Sequence, residues 1–131
     1  MRTVEEFMVE FFDARIVEEQ RHQASRAPFR RKFFAQDCRY DSHADTLKRM
    51  ETEKIVSIEG GESDPRVITE QTVHHKGHIR RMRLRYHLQL LNDDWLIRDV
   101  QSACLVCEGR GDSNCPYCKG QQWLRKGVEA D

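Results

Sequence analysis

The chain has 131 residues, with 22 Lys+Arg against 22 Asp+Glu, so it is one domain of ordinary size with no net charge to draw it to nucleic acid or anionic lipid. Charged residues make up 34% and the mean hydropathy is −0.79, which excludes a membrane-embedded chain, and no apolar run approaches the ~20 residues of a spanning helix. The first residues, Met1 to Glu6, are acidic and amphipathic, unlike a secretion signal. Five cysteines without such a signal point to a reducing, cytoplasmic setting, in which CxxC pairs bind metal rather than form disulfides.

Thr3 and Glu6 have the spacing of a capping box. Val4, Phe7, Met8 and Phe11 follow at helical spacing, so residues 3–22 are expected as one amphipathic helix, with most of its charges off the apolar stripe. Ser25 is a second N-cap candidate and Pro28 suits a first turn. Phe29, Phe33 and Phe34 then give a short helix ending near Gln36, with Arg26, Arg30, Arg31 and Lys32 turned to solvent. Residues 44–49 read as a helical turn.

Strands follow. Residues 54–59 and 66–75 are two of them, separated by Gly60-Gly61 and Ser63-Asp64-Pro65. From Arg81 to Leu90 apolar and polar residues alternate strictly, which means one buried and one polar face. Asn92-Asp93 makes a tight turn into a return strand over residues 95–101. An unbroken register pairs Leu90 with Trp95, Leu88 with Ile97 and Tyr86 with Asp99. The expected core contains Phe7, Phe11, Phe29, Leu88, Trp95 and Ile97. Helices followed by a meander of strands define an α+β class.

This order, two Phe-rich helices and then long antiparallel strands ending in the Leu88–Ile97 hairpin, resembles the nuclear transport factor 2-like (SnoaL-like, cystatin-like) superfamily over residues 3–103. The resemblance implies N-terminal helices packed in a strongly curved sheet, a cone with a pocket at its mouth. Members include isomerases, cyclases and dehydratases, non-catalytic binding modules, and subunits of larger complexes. Fold alone does not choose among them.

The most specific motif comes last. Cys104-x-x-Cys107 and Cys115-x-x-Cys118 are two CxxC pairs, each able to aim two thiolates at one ion, and together they make a four-sulfur site for structural Zn2+. Cys104, Cys107, Gly109 and Gly111 match one CxxCxGxG unit of the type that resembles the zinc knuckles of DnaJ-type chaperones; Cys115, Cys118 and Gly120 match a second, in which Gln122 replaces the last Gly. Residues 1–103 are therefore expected as the α+β cone and 104–131 as the zinc knuckle and tail. Cys38 is expected to be a small buried residue.

Pocket candidates are Tyr86 and Asp99 on the inner face, as phenol and general base, with Tyr40 and His43 near the rim. The competing reading of Tyr86 and Asp99 is a buried hydrogen bond that locks the hairpin register. His74, His75 and His78 read as a solvated hairpin. The stripe of Arg81, Arg83, Arg85 and His87, with Glu70, Leu96, Arg98 and Val100 on the same outer face, suits a protein–protein contact and is expected to pair two copies as a homodimer rather than to hold nucleic acid. The leading functional expectation is a non-catalytic binding or scaffold protein with a structural zinc; the alternatives are a small isomerase, cyclase or dehydratase acting on an apolar ligand, or an accessory subunit.

Overall fold

The computed structural model describes residues 2–20, 27–38, 47–75, 77–103, 113–116, 119–120 and 122–125. Helix α1 spans Val4–Gln20, α2 Ala27–Phe33 and α3 Leu47–Met50. Strands β1 (Lys54–Gly60), β2 (Pro65–His75), β3 (His78–Leu91), β4 (Asp94–Ala103) and β5 (Trp123–Arg125) form one antiparallel sheet in the order β1-β2-β3-β4-β5, curled into a half-barrel about the N-terminal helix.

The capping box of α1 is formed: the Glu6 N–H donates to Thr3 Oγ1 at 3.1 Å, and the Thr3 N–H donates to Glu6 Oε1 at 3.3 Å. Arg2 ties this end to the β3–β4 turn, donating to both oxygens of Asp94 at 2.7 and 2.8 Å and pairing with Glu10. Helix α2 stops at Phe33, earlier than expected, because the next residues are taken by the sheet. Phe34 makes a parallel bridge to Ile97, and the Ala35 N–H donates to the Ile97 carbonyl at 2.8 Å.

The core lies between α1, α2 and the concave face of the sheet. Phe7, Phe11, Phe33, Leu84, Leu88 and Ile97 are fully buried there. Phe11 is its centre, with the rings of Phe29, Phe33, Phe34 and Tyr86 at 5.6–6.1 Å. Cys38 joins this core, as expected of a small buried thiol.

Two tight turns follow the sequence signals. Asn92 and Asp93 have φ of 52° and 62°, the left-handed pair of a type I′ hairpin turn. Gly77, with φ of 78°, turns β2 into β3, and His74 and His78 are exposed beside it.

The hairpin register departs from expectation at one point. Leu90 pairs with Trp95 and Leu88 with Ile97, but a β-bulge follows between His87 and Leu88. Arg98 is the extra residue, so His87 opposes Asp99 and Tyr86 opposes Val100. A bulge of one residue exchanges the faces of everything beyond it. Val100, expected on the outer face, is 1% exposed in the core, and Asp99, expected beside Tyr86, faces outward with His87. Val100→Asp is therefore expected to unfold the domain, whereas Asp99→Asn should change stability by no more than about 1 kcal/mol in urea denaturation.

The sequence pattern contains no signal for β5. This strand pairs with the end of β4, Trp123 opposite Ala103 and Arg125 opposite Gln101, so the cysteine-rich segment is the loop of a β-hairpin.

Candidate functional site

The inner face carries a buried polar cluster drawn from four elements. Arg15 on α1 is 1% exposed, and the Glu53 side chain, in the connection immediately before β1, is fully buried. Arg15 Nη2 lies 2.9 Å from Glu53 Oε1, and Arg15 Nη1 donates to Tyr86 Oη at 3.3 Å. Tyr86 Oη in turn donates to Glu53 Oε2 at 2.6 Å. On β2, Thr69 Oγ1 donates to the same Oε2 at 2.6 Å and Gln71 Nε2 donates to Oε1 at 2.7 Å. The Arg15 guanidinium also lies over Phe11 and Phe12, 5.2 and 5.4 Å from their ring centroids.

Local sequence explains each position. Met8, Phe11, Arg15 and Glu18 recur at helical spacing, so Arg15 and Glu18 sit on the buried stripe of α1, although most of the helix's charges were expected off it. Val67, Thr69 and Gln71 alternate along β2 and pair with Tyr86, Leu84 and Met82, all on the concave face.

The chemistry of this cluster follows from counting. A carboxylate offers about four lone-pair directions. On Glu53, Oε2 accepts from Tyr86 and Thr69 and Oε1 accepts from Gln71, while Arg15 Nη2 stands 2.9 Å from Oε1 as its ion-pair partner. A general base needs an open acceptor for the proton it removes. On Glu53 three directions are taken by hydrogen-bond donors and the Arg15 guanidinium faces the same carboxylate, an arrangement that ties α1 to β2, β3 and the residue before β1. Gln71 Oε1 is buried and accepts no hydrogen bond among the described residues.

The predicted catalytic pair is not brought together. Tyr86 is fully buried within this cluster, while Asp99, half-buried on the other face, accepts the Val100 N–H at 3.0 Å. Tyr40 and His43 lie outside the described residues, as do Cys104, Cys107 and Cys118. Cys115 is described and is 6% exposed. The turn behind it is tight: the Lys119 N–H donates to the Cys115 carbonyl at 2.9 Å, and Lys119 and Gly120 take φ of 53° and 88°. Gly120 needs no side-chain concession for that conformation.

The outer face carries a second cluster. Arg85 Nε and Nη2 donate to Gln101 Oε1 at 3.0 and 2.5 Å, and its guanidinium stacks 4.8 Å from the Trp123 ring centroid. His87 Nε2 reaches the same Gln101 oxygen at 3.2 Å, which requires that nitrogen to carry the proton. Burial first, and the Arg85 charge second, hold the His87 imidazole below its ordinary pKa. Burial first, and then the charge of Arg66, also push the Arg85 guanidinium down.

A depressed histidine gives a defined pH dependence. Below its ordinary pKa of about 6.5 the unfolded chain binds a proton that the folded chain resists. Stability should therefore fall as pH drops below about 6.5 toward the lowered pKa of the folded state, and His87→Asn should flatten that limb when Tm is followed by circular dichroism. A second acid limb belongs to Glu10 and Asp94, held low chiefly by Lys32 and by Arg2 respectively, and is lost only at lower pH.

Among the described residues no helix is long and apolar enough to cross a membrane. Comparison with protein-family models, curated proteins and solved structures finds no match to this chain.

Proposed function

We propose that this chain is a non-catalytic binding module of the nuclear transport factor 2-like superfamily, with its C-terminal hairpin stapled by a structural zinc ion. The Glu53 cluster, in which a buried carboxylate is held by three hydrogen-bond donors and the Arg15 charge, carries the non-catalytic part of the reading. Glu53 holds α1, β2, β3 and the residue before β1 together, and the aromatic side chains about Phe11 occupy the interior of the half-barrel. The order of helices followed by a curled antiparallel sheet supports the superfamily assignment.

The zinc part rests on the donor set and its setting. Four cysteines in two CxxC pairs match the thiolate preference of Zn2+. The pairing of Ala103 with Trp123 closes residues 104–122 into one loop, so both pairs lie in a segment whose ends are held together. The left-handed residues Lys119 and Gly120 directly after the second pair supply the sharp turn a knuckle needs. Cys104, Cys107, Cys115 and Cys118 would hold the ion, which has structural and no catalytic work when all four positions are protein sulfur.

Metal analysis tests this reading. Protein purified under reducing conditions should carry one zinc per chain, and Cys115→Ser should lower that to well under half. A full complement of zinc in the Cys115→Ser protein, or none in the parent, would overturn the assignment.

A further inference from the structure

The balanced net charge of the chain hides a segregation. On α1 the exposed groove is lined by Glu5, Glu6, Val9, Glu10 and Asp13. On the convex face of the sheet the sign is reversed. Arg81 and Arg83 project there with side chains 78% and 59% exposed, and Arg66, Arg85 and the exposed bulge residue Arg98 continue the cationic surface. Glu70, between Arg81 and Arg83, is the nearest counter-charge, with oxygens at 3.4 and 3.8 Å from their Nε atoms. One carboxylate thus serves two guanidiniums; at Arg85 the charge of Arg66 is opposed by those of Glu59 and Asp99, so the exposed excess of cations lies at Arg81 and Arg83.

The strand pattern alone sets no aromatic beside this arginine stripe. The fold supplies one. β5 brings Trp123 to the outer face, opposite Ala103 and with the Arg85 guanidinium over its ring. A guanidinium plane held on an indole is a platform on which an unpaired base can stack. Along β3 the outward arginines recur every second residue, about 6.7 Å apart at the ordinary strand rise. That step is close to the spacing of successive phosphates in an extended single strand. The cations are arginines, whose planar fork suits phosphate oxygens better than a lysine ammonium does.

From these observations we propose that the convex face formed by Arg81, Arg83, Arg85 and Trp123 binds single-stranded nucleic acid, phosphates on the arginine row and a base on the Arg85–Trp123 platform. The inference rests on the reading of the chain as a binding module and names its partner. It also makes the zinc hairpin part of the site, because β5 carries the aromatic. A face-to-face homodimer through this surface would set arginines against arginines, and Val100, expected to serve it, lies in the core instead.

The test uses the full-length, zinc-loaded chain and fluorescein-labelled single-stranded RNA and DNA oligonucleotides of mixed sequence, followed by anisotropy at several salt concentrations. Binding should be micromolar at about 50 mM salt, with a log–log salt slope near −2 for three neutralised phosphates. Arg83→Glu, at an exposed position that leaves the core untouched, should weaken it at least about tenfold and make the slope shallower by about 0.7 for each phosphate no longer neutralised. Trp123 emission should be quenched on binding, and Trp123→Leu should lower affinity by about tenfold. Tighter binding of RNA than DNA would identify a contact to the 2′-hydroxyl and still support the proposal. Three results would overturn it: no anisotropy change at about 50 mM salt; polyglutamate binding as tightly, with the same Arg83 dependence and no Trp123 quenching; or a dimer in light scattering that Arg83→Glu dissociates. Zinc content measured on the same samples separates the two readings. Zinc-loaded protein that ignores nucleic acid sinks only this inference, whereas protein without zinc sinks the stapled-module reading itself.

Discussion

Glu53→Ala is expected to destabilise the protein by about 3–5 kcal/mol, because it strands the buried guanidinium of Arg15 without its carboxylate. A domain of this size has about 5–15 kcal/mol in total, so the variant should lie near the edge of folding. The loss extends past the ion pair, since Thr69, Gln71 and Tyr86 all surrender the acceptor they share. Arg15→Met alone should also be costly, leaving a buried carboxylate with only neutral donors. Replacing the charges together, as Arg15→Met with Glu53→Leu, should recover much of the loss, because two desolvated ions then leave the core at once. Urea denaturation of the two single variants and the pair closes the cycle. A loss below about 1 kcal/mol for Glu53→Ala, or strict additivity in the pair, would show that the cluster is not a lock.

Removal of the proposed zinc is expected to release the C-terminal hairpin while leaving the half-barrel folded. Closing a loop of the length of residues 104–122 costs roughly 3 kcal/mol in chain entropy. The three residue pairs between β4 and β5 return a similar amount at about 0.5–1.5 kcal/mol per hydrogen bond. The hairpin is thus balanced near zero on its own, so the binding energy of the proposed four-thiolate zinc would decide the outcome. Chelation should abolish hydrogen-exchange protection at Trp123–Arg125, weaken it at Gln101–Ala103, and shift Trp123 emission to the red as the ring leaves Arg85. Protection in α1, β2 and most of β3 should persist, since Phe7, Phe11, Leu84 and Leu88 form a core in which Cys115 takes no part. Unchanged protection of β5, or collapse of the whole domain, would contradict this division.

The parts legible in the sequence were those with local signals. The alternation from Met82 to Leu88 and the Asn92-Asp93 turn identify the central hairpin without reference to anything distant. The capping box at Thr3 and the Phe7–Phe11 stripe do the same for α1. The bulge at Arg98 carries no such signal. Inserting one residue into a strand of mixed Arg, Asp, Val and Gln changes no composition, yet it moves Asp99 out and Val100 in. β5 is three residues long and finds its partner across the whole cysteine loop, so nothing in its own sequence announces it. Arg15 could have been found. It stands one helical turn beyond Phe11 on the apolar stripe, and a charge in that position demands a buried counter-charge. Which acid answers it was not readable, because Glu53 lies in a short connection with no periodicity of its own.

The lock at Glu53 also sets an order of events. Tyr86 is 33 residues from Glu53 and 71 from Arg15 along the chain, so these contacts require α1, β1 and β3 to be in place together. Hairpins as local as β2–β3 and β3–β4 close far sooner than contacts of such separation. The charges therefore enter the interior late, after most apolar surface has already left water. Changes at Arg15 or Glu53 should consequently act on the unfolding limb of a chevron plot and leave the folding limb nearly unmoved. The cluster works as a latch against escape from the native state, and the lifetime of the folded molecule depends on it more than the speed of reaching it.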